Sequence, residues 1–441
     1  MPGEAGPSHA RRLCLLLLLL LAAPTLWAAG PATERWTNGL RLIVRPSTAS
    51  DVASAVLLLD YSSLDEPPEL QGIRQVLVSA MLQGSDRVDG TAIRRKLAAA
   101  GGELTGRVGV EMVEFTVTTP AKSLPLGLAA LAEVVCRPQL SDEGVRAAVQ
   151  RSRQLLSREP ADALGSAELL SQYLLYGPHP FATGGLGWDF TVEQITPEAV
   201  RNAYDAHFSP HNAVLAIAGR CTAADARGQA RANFGLWTGR AHHPHLALGF
   251  PSLNASRLEL RELPVRSTCI MLTFPVCGAK DKDYLPLRLI DTLLSGGTGS
   301  RLFRSVREEK RLAYEVATVF PAQVAGSSFS LYALARNGFL EDTKLALVDE
   351  IARLQEEPVT AEELQRAKAY LKGHYLLSHQ YSAQYAYDLA WYELAGLGAE
   401  YDARLPAALD AVTADDVRRV ARAYFTHYYL IVVIPQNEAA N

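Results

Sequence analysis

The stretch Ile195-Thr-Pro-Glu-Ala-Val-Arg-Asn-Ala-Tyr-Asp-Ala-His-Phe208 aligns without a gap on Val412-Thr-Ala-Asp-Asp-Val-Arg-Arg-Val-Ala-Arg-Ala-Tyr-Phe425, 217 residues further along. Each copy begins with a threonine suited to cap a helix and with acidic residues in the first turn, then continues as an amphipathic helix. An apolar strand follows in both cases, Ala213–Ala218 and Tyr429–Ile434. A second match lies upstream, Leu140-Ser-Asp-Glu-Gly-Val145 against Val359-Thr-Ala-Glu-Glu-Leu364, and these too read as capped helix starts. The period is far too long for a solenoid. The chain is two copies of one α/β unit.

Working outward, the first copy offers strands at Ala53–Asp60 and Glu114–Thr119 and helices at Gln71–Leu82 and Ala92–Ala100, the second helix stopped by Gly101-Gly102. The second copy repeats this with strands at Cys269–Phe274 and Ser328–Ala333 and a helix at Leu285–Leu294. Residues 238–254 are rich in Pro, Gly and His and read as a linker between domains 30–237 and 255–441. Repeat-related halves joined by a linker can close on one another like a clam.

The first 29 residues stand apart. Arg11-Arg12, the apolar run Leu13–Ala23 and the small residues Ala28-Ala29 form a secretory signal pattern. The expected location is therefore outside the cytoplasm, most simply the periplasm, with a retained anchor as the alternative. No other run is long and apolar enough to suggest a membrane span. The chain has 441 residues, 48% hydrophobic and 20% charged, with a net charge of −4, which suits two globular domains and gives no basis for nucleic-acid binding. Cys136, Cys221, Cys269 and Cys277 are too scattered for a disulfide framework.

One segment carries chemistry. Leu294-Ser-Gly-Gly-Thr-Gly-Ser-Arg-Leu-Phe303 is followed by Arg307-Glu-Glu-Lys-Arg-Leu-Ala-Tyr314. Arg307 and Tyr314 share a face if the helix persists; if the chain unwinds after Arg311, the tyrosine enters the next strand and both still reach one cleft. A guanidinium and a phenol both donate well to a peptide carbonyl. The bland alternative pairs Arg307 with Glu308 or Glu309 and packs Tyr314 in a core. Gly296-Gly297-Thr298-Gly299 suits a tight turn closing a helix, or a moving loop.

With the repeat, this segment resembles the pitrilysin, insulin-degrading and mitochondrial-processing family of zinc peptidases. The resemblance implies two homologous domains, each a mostly antiparallel sheet packed against helices, together making a clam-like half of a peptidase chamber. It places Arg307 and Tyr314 at substrate-contacting positions. In that family the first copy carries H-x-x-E-H on a helix, two histidines one turn apart for zinc and a glutamate for the water, with a third ligand on a later helix. Here the matching positions are Gln75, Val78 and Ser79, and the third falls near Leu155; no Asp or Glu occurs from Gly144 through Arg158.

Such a set makes a very poor zinc site. The expectation is a chain that binds no zinc and cuts nothing alone. It would contribute Arg307 and Tyr314 to a peptide-cleaving heterodimer with a zinc-bearing paralogue. The alternative is a scaffold or peptide-binding protein, as the zinc-free core subunits of respiratory complexes are. Glycine 102 to Arg107 lies where the family's peptide-pairing edge strand begins, expected to be vestigial here. His179 reads as a turn residue, His374 and His379 as structural, and His242, His243 and His245 as linker histidines without a carboxylate partner.

Overall fold

The computed structural model describes residues 33–158, 162–240, 248–336 and 338–436. The signal segment and the three linker histidines lie outside the described residues. In the first copy the strands are β1 (Thr33–Arg35), β2 (Arg41–Pro46), β3 (Val52–Leu59), β4 (Glu103–Val108), β5 (Val113–Pro120) and β6 (Ala213–Gly219). In the second they are β7 (Arg257–Leu263), β8 (Thr268–Val276), β9 (Ala313–Val319), β10 (Ser327–Ala335) and β11 (Tyr429–Pro435).

The sheet orders are β1-β2-β6-β3-β5-β4 and β7-β11-β8-β10-β9. Apart from β1 the two orders correspond strand for strand. Only β2 with β6 and β7 with β11 run parallel; the other pairs are antiparallel. In both sheets an open edge strand, β4 or β9, follows a helix and a short turn.

The repeated sequence signals act as helix caps. Thr196 accepts from the Ala199 amide and Thr413 from the Asp416 amide, both at 3.1 Å. Ser141 and Thr360 do the same for Gly144 and Glu363 at 3.1 and 3.2 Å. Each such cap is worth about 1 kcal/mol.

The central strands are buried on both faces. All residues of β6, and all but the first of β3, are inaccessible. That explains their continuous apolar sequence in place of alternation. One face of each sheet packs on helices of its own copy. The other is covered by a helix from the opposite copy. Helix Ala163–Tyr176 of the first copy lies on β8 and β11, with Ala163 and Ala167 against Met271, Ile431 and Val433. Helix Ser382–Leu394 of the second lies on β3 and β6, with Ala386 and Leu389 against Val56, Leu58 and Ala216.

Ala167 and Ala386 are equivalent in the repeat, and a small residue there lets helix and sheet approach closely. This reciprocal exchange packs the two copies directly on one another. Separating them would expose two buried clusters, at about 1.5–3 kcal/mol for each large apolar side chain. Among the described residues, no helix is long and apolar enough to cross a membrane.

Candidate functional site

Arg307 sits on a π-helix, Phe303–Glu309, continuing from helical residues 301 and 302. Such wide turns are rare and gather at functional sites. The helix ends as Arg311 adopts φ 55°, a left-handed conformation uncommon outside glycine. The Leu312 amide then donates to the Val306 carbonyl at 2.9 Å, folding β9 back against the π-helix. Of the two conformations open to the segment, the chain takes the unwound one, and Tyr314 is the second residue of β9.

Tyr314 also interrupts the ladder. Glu315 opposes Leu334 and Ala313 opposes Ala335, so Tyr314 is the extra residue of a bulge. Bulges re-aim side chains beside binding sites. Here Tyr314 is 48% exposed on an open sheet edge, not packed in a core. Arg307 is exposed too, and its guanidinium carbon lies 4.8 Å from the centre of the Phe303 ring. It forms no ion pair with Glu308 or Glu309; Glu309 lies instead 3.9 Å from Arg304. Stacking fixes the guanidinium plane while leaving its N–H edges free to donate.

The first-copy helix, Ile73–Met81, presents a different surface. Gly72 caps it at φ 95°, where an added Cβ would meet the Leu186 carbonyl oxygen at 2.5 Å. Val78 is buried and packs where β4 has Gly106: a Cβ at 106 would lie 2.8 Å from Val78 Cγ1. Gln75 and Ser79 are half-buried on the same helix. Across from them, on helix Asp142–Leu156, Arg151 donates from Nε to Ser79 Oγ at 3.2 Å. Leu155, one turn further on, is 38% exposed.

These residues do not fit zinc. An amide, a hydroxyl, a valine and a leucine supply no anionic or imidazole ligand. Arg151 adds a fixed positive charge at the serine; at 4 Å it would repel each unit of metal charge by about 1–4 kcal/mol. Among the described residues, no group of three His, Cys, Asp or Glu could hold a metal ion. The missing carboxylates were legible in the sequence; Arg151 was missed, although a basic residue one turn before the third-ligand position was there to be read.

A buried ion pair positions the start of this helix. Arg74 Nε donates to Glu66 Oε1 at 3.0 Å, with both side chains fully inaccessible. Arg74 Nη1 reaches the carbonyls of Tyr61 at 2.9 Å and of Gly109, in the turn after β4, at 2.7 Å. Glu66 accepts from the amides of Gly72 and Arg74 as well, so the pair is hydrogen-bonded throughout.

The histidines divide. His179 caps its turn through Nδ1, accepting from the Phe181 amide at 3.2 Å, a structural task. His379 is more than a surface residue: it stacks on Tyr385, with centroids 3.9 Å apart, and its Nε2 lies 3.4 Å from Asp402. Beside it, burial pushes the Asp388 carboxyl up to about 6. This cluster closes the junction beneath the exchanged helix Ser382–Leu394, away from Arg307 and Tyr314 in sequence.

Comparison with known proteins agrees with the geometry. Residues 41–173 match the model of the insulinase family, peptidase family M16, and residues 194–371 that of the peptidase M16 inactive domain. An uncharacterized zinc protease of Streptomyces coelicolor is 26% identical over 406 residues, covering 89% of this chain and 87% of that one. The fold resembles a protease from Helicobacter pylori (TM-score 0.85, 18% identity, 92% of this chain and 100% of that one). It also resembles a peptidase M16 inactive domain from Pseudomonas fluorescens (TM-score 0.82, 21% identity, 92% and 98%). The chain belongs to the insulinase family, peptidase family M16.

Proposed function

We propose that this chain is the non-catalytic, substrate-binding subunit of a secreted, periplasmic zinc peptidase. Its partner is a paralogue with an intact H-x-x-E-H helix, and peptides are the substrate. The observation that carries the reading is a contrast within one chain. Arg307 on the π-helix and a bulge-displaced Tyr314 on the open edge strand expose their donors on either side of one chain reversal, while the helix face matching the metal site holds Gln75, Ser79 and the Arg151 guanidinium.

In the assembled enzyme the partner's zinc would supply the activated water. This chain's part is to bind and orient. Arg307 and Tyr314 donate to the scissile carbonyl oxygen and hold it as negative charge develops there. Preorganised donors of this kind contribute about 3–4 kcal/mol each. The stacked guanidinium and the bulged tyrosine are held in advance, so little ordering is left to the reaction.

The test is co-expression with a secreted zinc-bearing paralogue. The chain alone should contain no stoichiometric zinc and show no chelator-sensitive cleavage, and the complex should show both. Arg307→Ala and Tyr314→Phe should each lower turnover by about 10²–10³-fold with unchanged co-elution of the two subunits. Zinc at one per chain in the isolated protein, or full turnover in both variants, would remove the proposal.

A further inference from the structure

The other end of the helix that carries Arg307 opens on a cavity of about 430 Å³. Its walls include the turn Gly296–Ser300, with Arg366 and Tyr370 from helix Ala361–Ser378. Gly297, at φ 83°, brings the backbone close to the Tyr370 ring, and a Cβ at Gly299 would meet nothing.

The first hydrogen bond of the helix runs from the Arg304 amide to the Ser300 carbonyl, at 3.1 Å. The amides of Arg301, Leu302 and Phe303 therefore precede the helical ladder and need other acceptors. A serine in this position ordinarily caps one of them. Ser300 does not. The residue is 5% exposed, lines the cavity, and its Oγ has no hydrogen-bond partner.

The nearby charges, including Glu363 in the cavity wall, are paired with one another. Arg301 binds Glu363 through two bonds, at 2.6 and 2.8 Å, and Arg366 binds Glu362 at 2.7 Å. What remains unspent is the buried Ser300 hydroxyl, the buried Nη1 of Arg301 and the positive end of a helix, a combination that takes an anion.

Ser300 precedes Arg307 by seven residues, a span of at most about 10 Å along the axis, because wide π turns rise no more than the ~1.5 Å per residue of an α-helix. An extended peptide covers that span in about three residues, at ~3.3 Å each. From this we infer that the Ser300 cavity takes the C-terminal carboxylate of a bound peptide, about three residues from the carbonyl held by Arg307. The inference rests on reading Arg307 as a peptide-contacting residue. A free inorganic anion shares the same chemistry, so the experiment separates the two.

The test uses the isolated full chain and an N-terminally labelled oligo-alanine heptapeptide, prepared as the free acid and as the C-terminal amide. Binding is read by fluorescence anisotropy. The acid should bind at least about tenfold more tightly than the amide, a difference of about 1.4 kcal/mol. Inorganic phosphate should compete with the acid. Gly299→Asp, which places a carboxylate at the cavity without a clash, should abolish the preference, and Ser300→Ala should reduce it several-fold. Arg307→Ala should weaken both peptides and leave their ratio intact.

Equal affinity for acid and amide would overturn the carboxylate site while leaving the peptide-binding role standing. Binding of phosphate without either peptide would reassign the cavity to a free anion and count against both readings. Loss of stability in Ser300→Ala with an unchanged acid-to-amide ratio would give Ser300 a packing role only and overturn its part in the site.

Discussion

The edge strands β4 and β9 occupy the same place in the two copies and are reached in opposite ways. Helix Gly90–Ala99 leads to β4 through Gly101, a glycine at φ 76°, and β4 then pairs with β5 without interruption from Glu103 to Val108. A π-helix leads to β9 through Arg311, an arginine at φ 55°, and β9 breaks register at its second residue. The first edge is anchored from behind, since buried Arg74 holds the turn after β4. The second gathers three local irregularities around two exposed donors. Irregular backbone costs stability and persists where surrounding structure holds it, most often at a site that uses it. These irregularities lie in the second copy, at the segment to which the proposed function assigns substrate contact.

Breaking the anchored edge should produce the largest effect. Glu66→Ala leaves Arg74 charged and buried without its partner, which costs about 3–5 kcal/mol. The urea midpoint should fall accordingly, and hydrogen exchange should quicken in β4 before β9. A midpoint shifted no further than that of an exposed-pair variant such as Arg366→Ala would show that the first edge does not depend on this pair.

The exchanged helices extend the comparison to pH. Burial first, then the neighbouring Asp402, raises the Asp388 carboxyl from 3.8 to about 6, against the opposing pull of the Gln384 hydrogen bond and of Arg288. The fold therefore favours its protonated form. That contribution is complete below about pH 4 and is lost as pH rises through about 6. Asp388→Asn should be more stable than the parent chain above pH 6, by up to about 3 kcal/mol, and equal to it near pH 4. His379 works in the opposite sense: burial lowers it, so its contribution is lost on acidification. Comparing the two proteins across pH 4–8 isolates Asp388, and a difference independent of pH would contradict the assignment.

The smallest effect sharpens the argument about strain. A non-glycine residue in the left-handed region costs about 1–2 kcal/mol. Arg311→Gly should relieve part of that, partly offset by the freedom glycine gains in the unfolded chain. The net gain should be about 0.5–1 kcal/mol, accompanied, under the proposed function, by lower turnover of the complex with a zinc-bearing paralogue as Tyr314 loses its fixed position. A variant less stable than the parent would show that the arginine conformation carries no strain.

Much of this was legible in residues. The threonine caps, apolar strands and glycine stops placed nearly every strand and helix named from sequence within a few residues of its observed ends, because each signal is local. The side chains at the four positions matching the family's metal site, Gln75, Val78, Ser79 and Leu155, were equally plain, since they are read directly from the chain. Less legible was the surface around them. Arg151 meets Ser79 only because two helices distant in sequence pack side by side. The bulge at Tyr314 gave no warning either, for the run Arg-Leu-Ala-Tyr contains no glycine to mark a left-handed residue.

By itself the sequence determined the duplication, the element order of each copy and the chemistry available at every candidate position. These follow from side-chain periodicity, capping and ligand type, which a linear chain displays directly. Only the tertiary structure decided that each copy lends a helix to the other's sheet and that Arg307 and Tyr314 flank a chain reversal. The same holds for the hydroxyl left unpaired over a cavity at Ser300. Those outcomes depend on which distant surfaces meet, and burial of apolar area, being non-directional, does not write its choice of partner into any one segment.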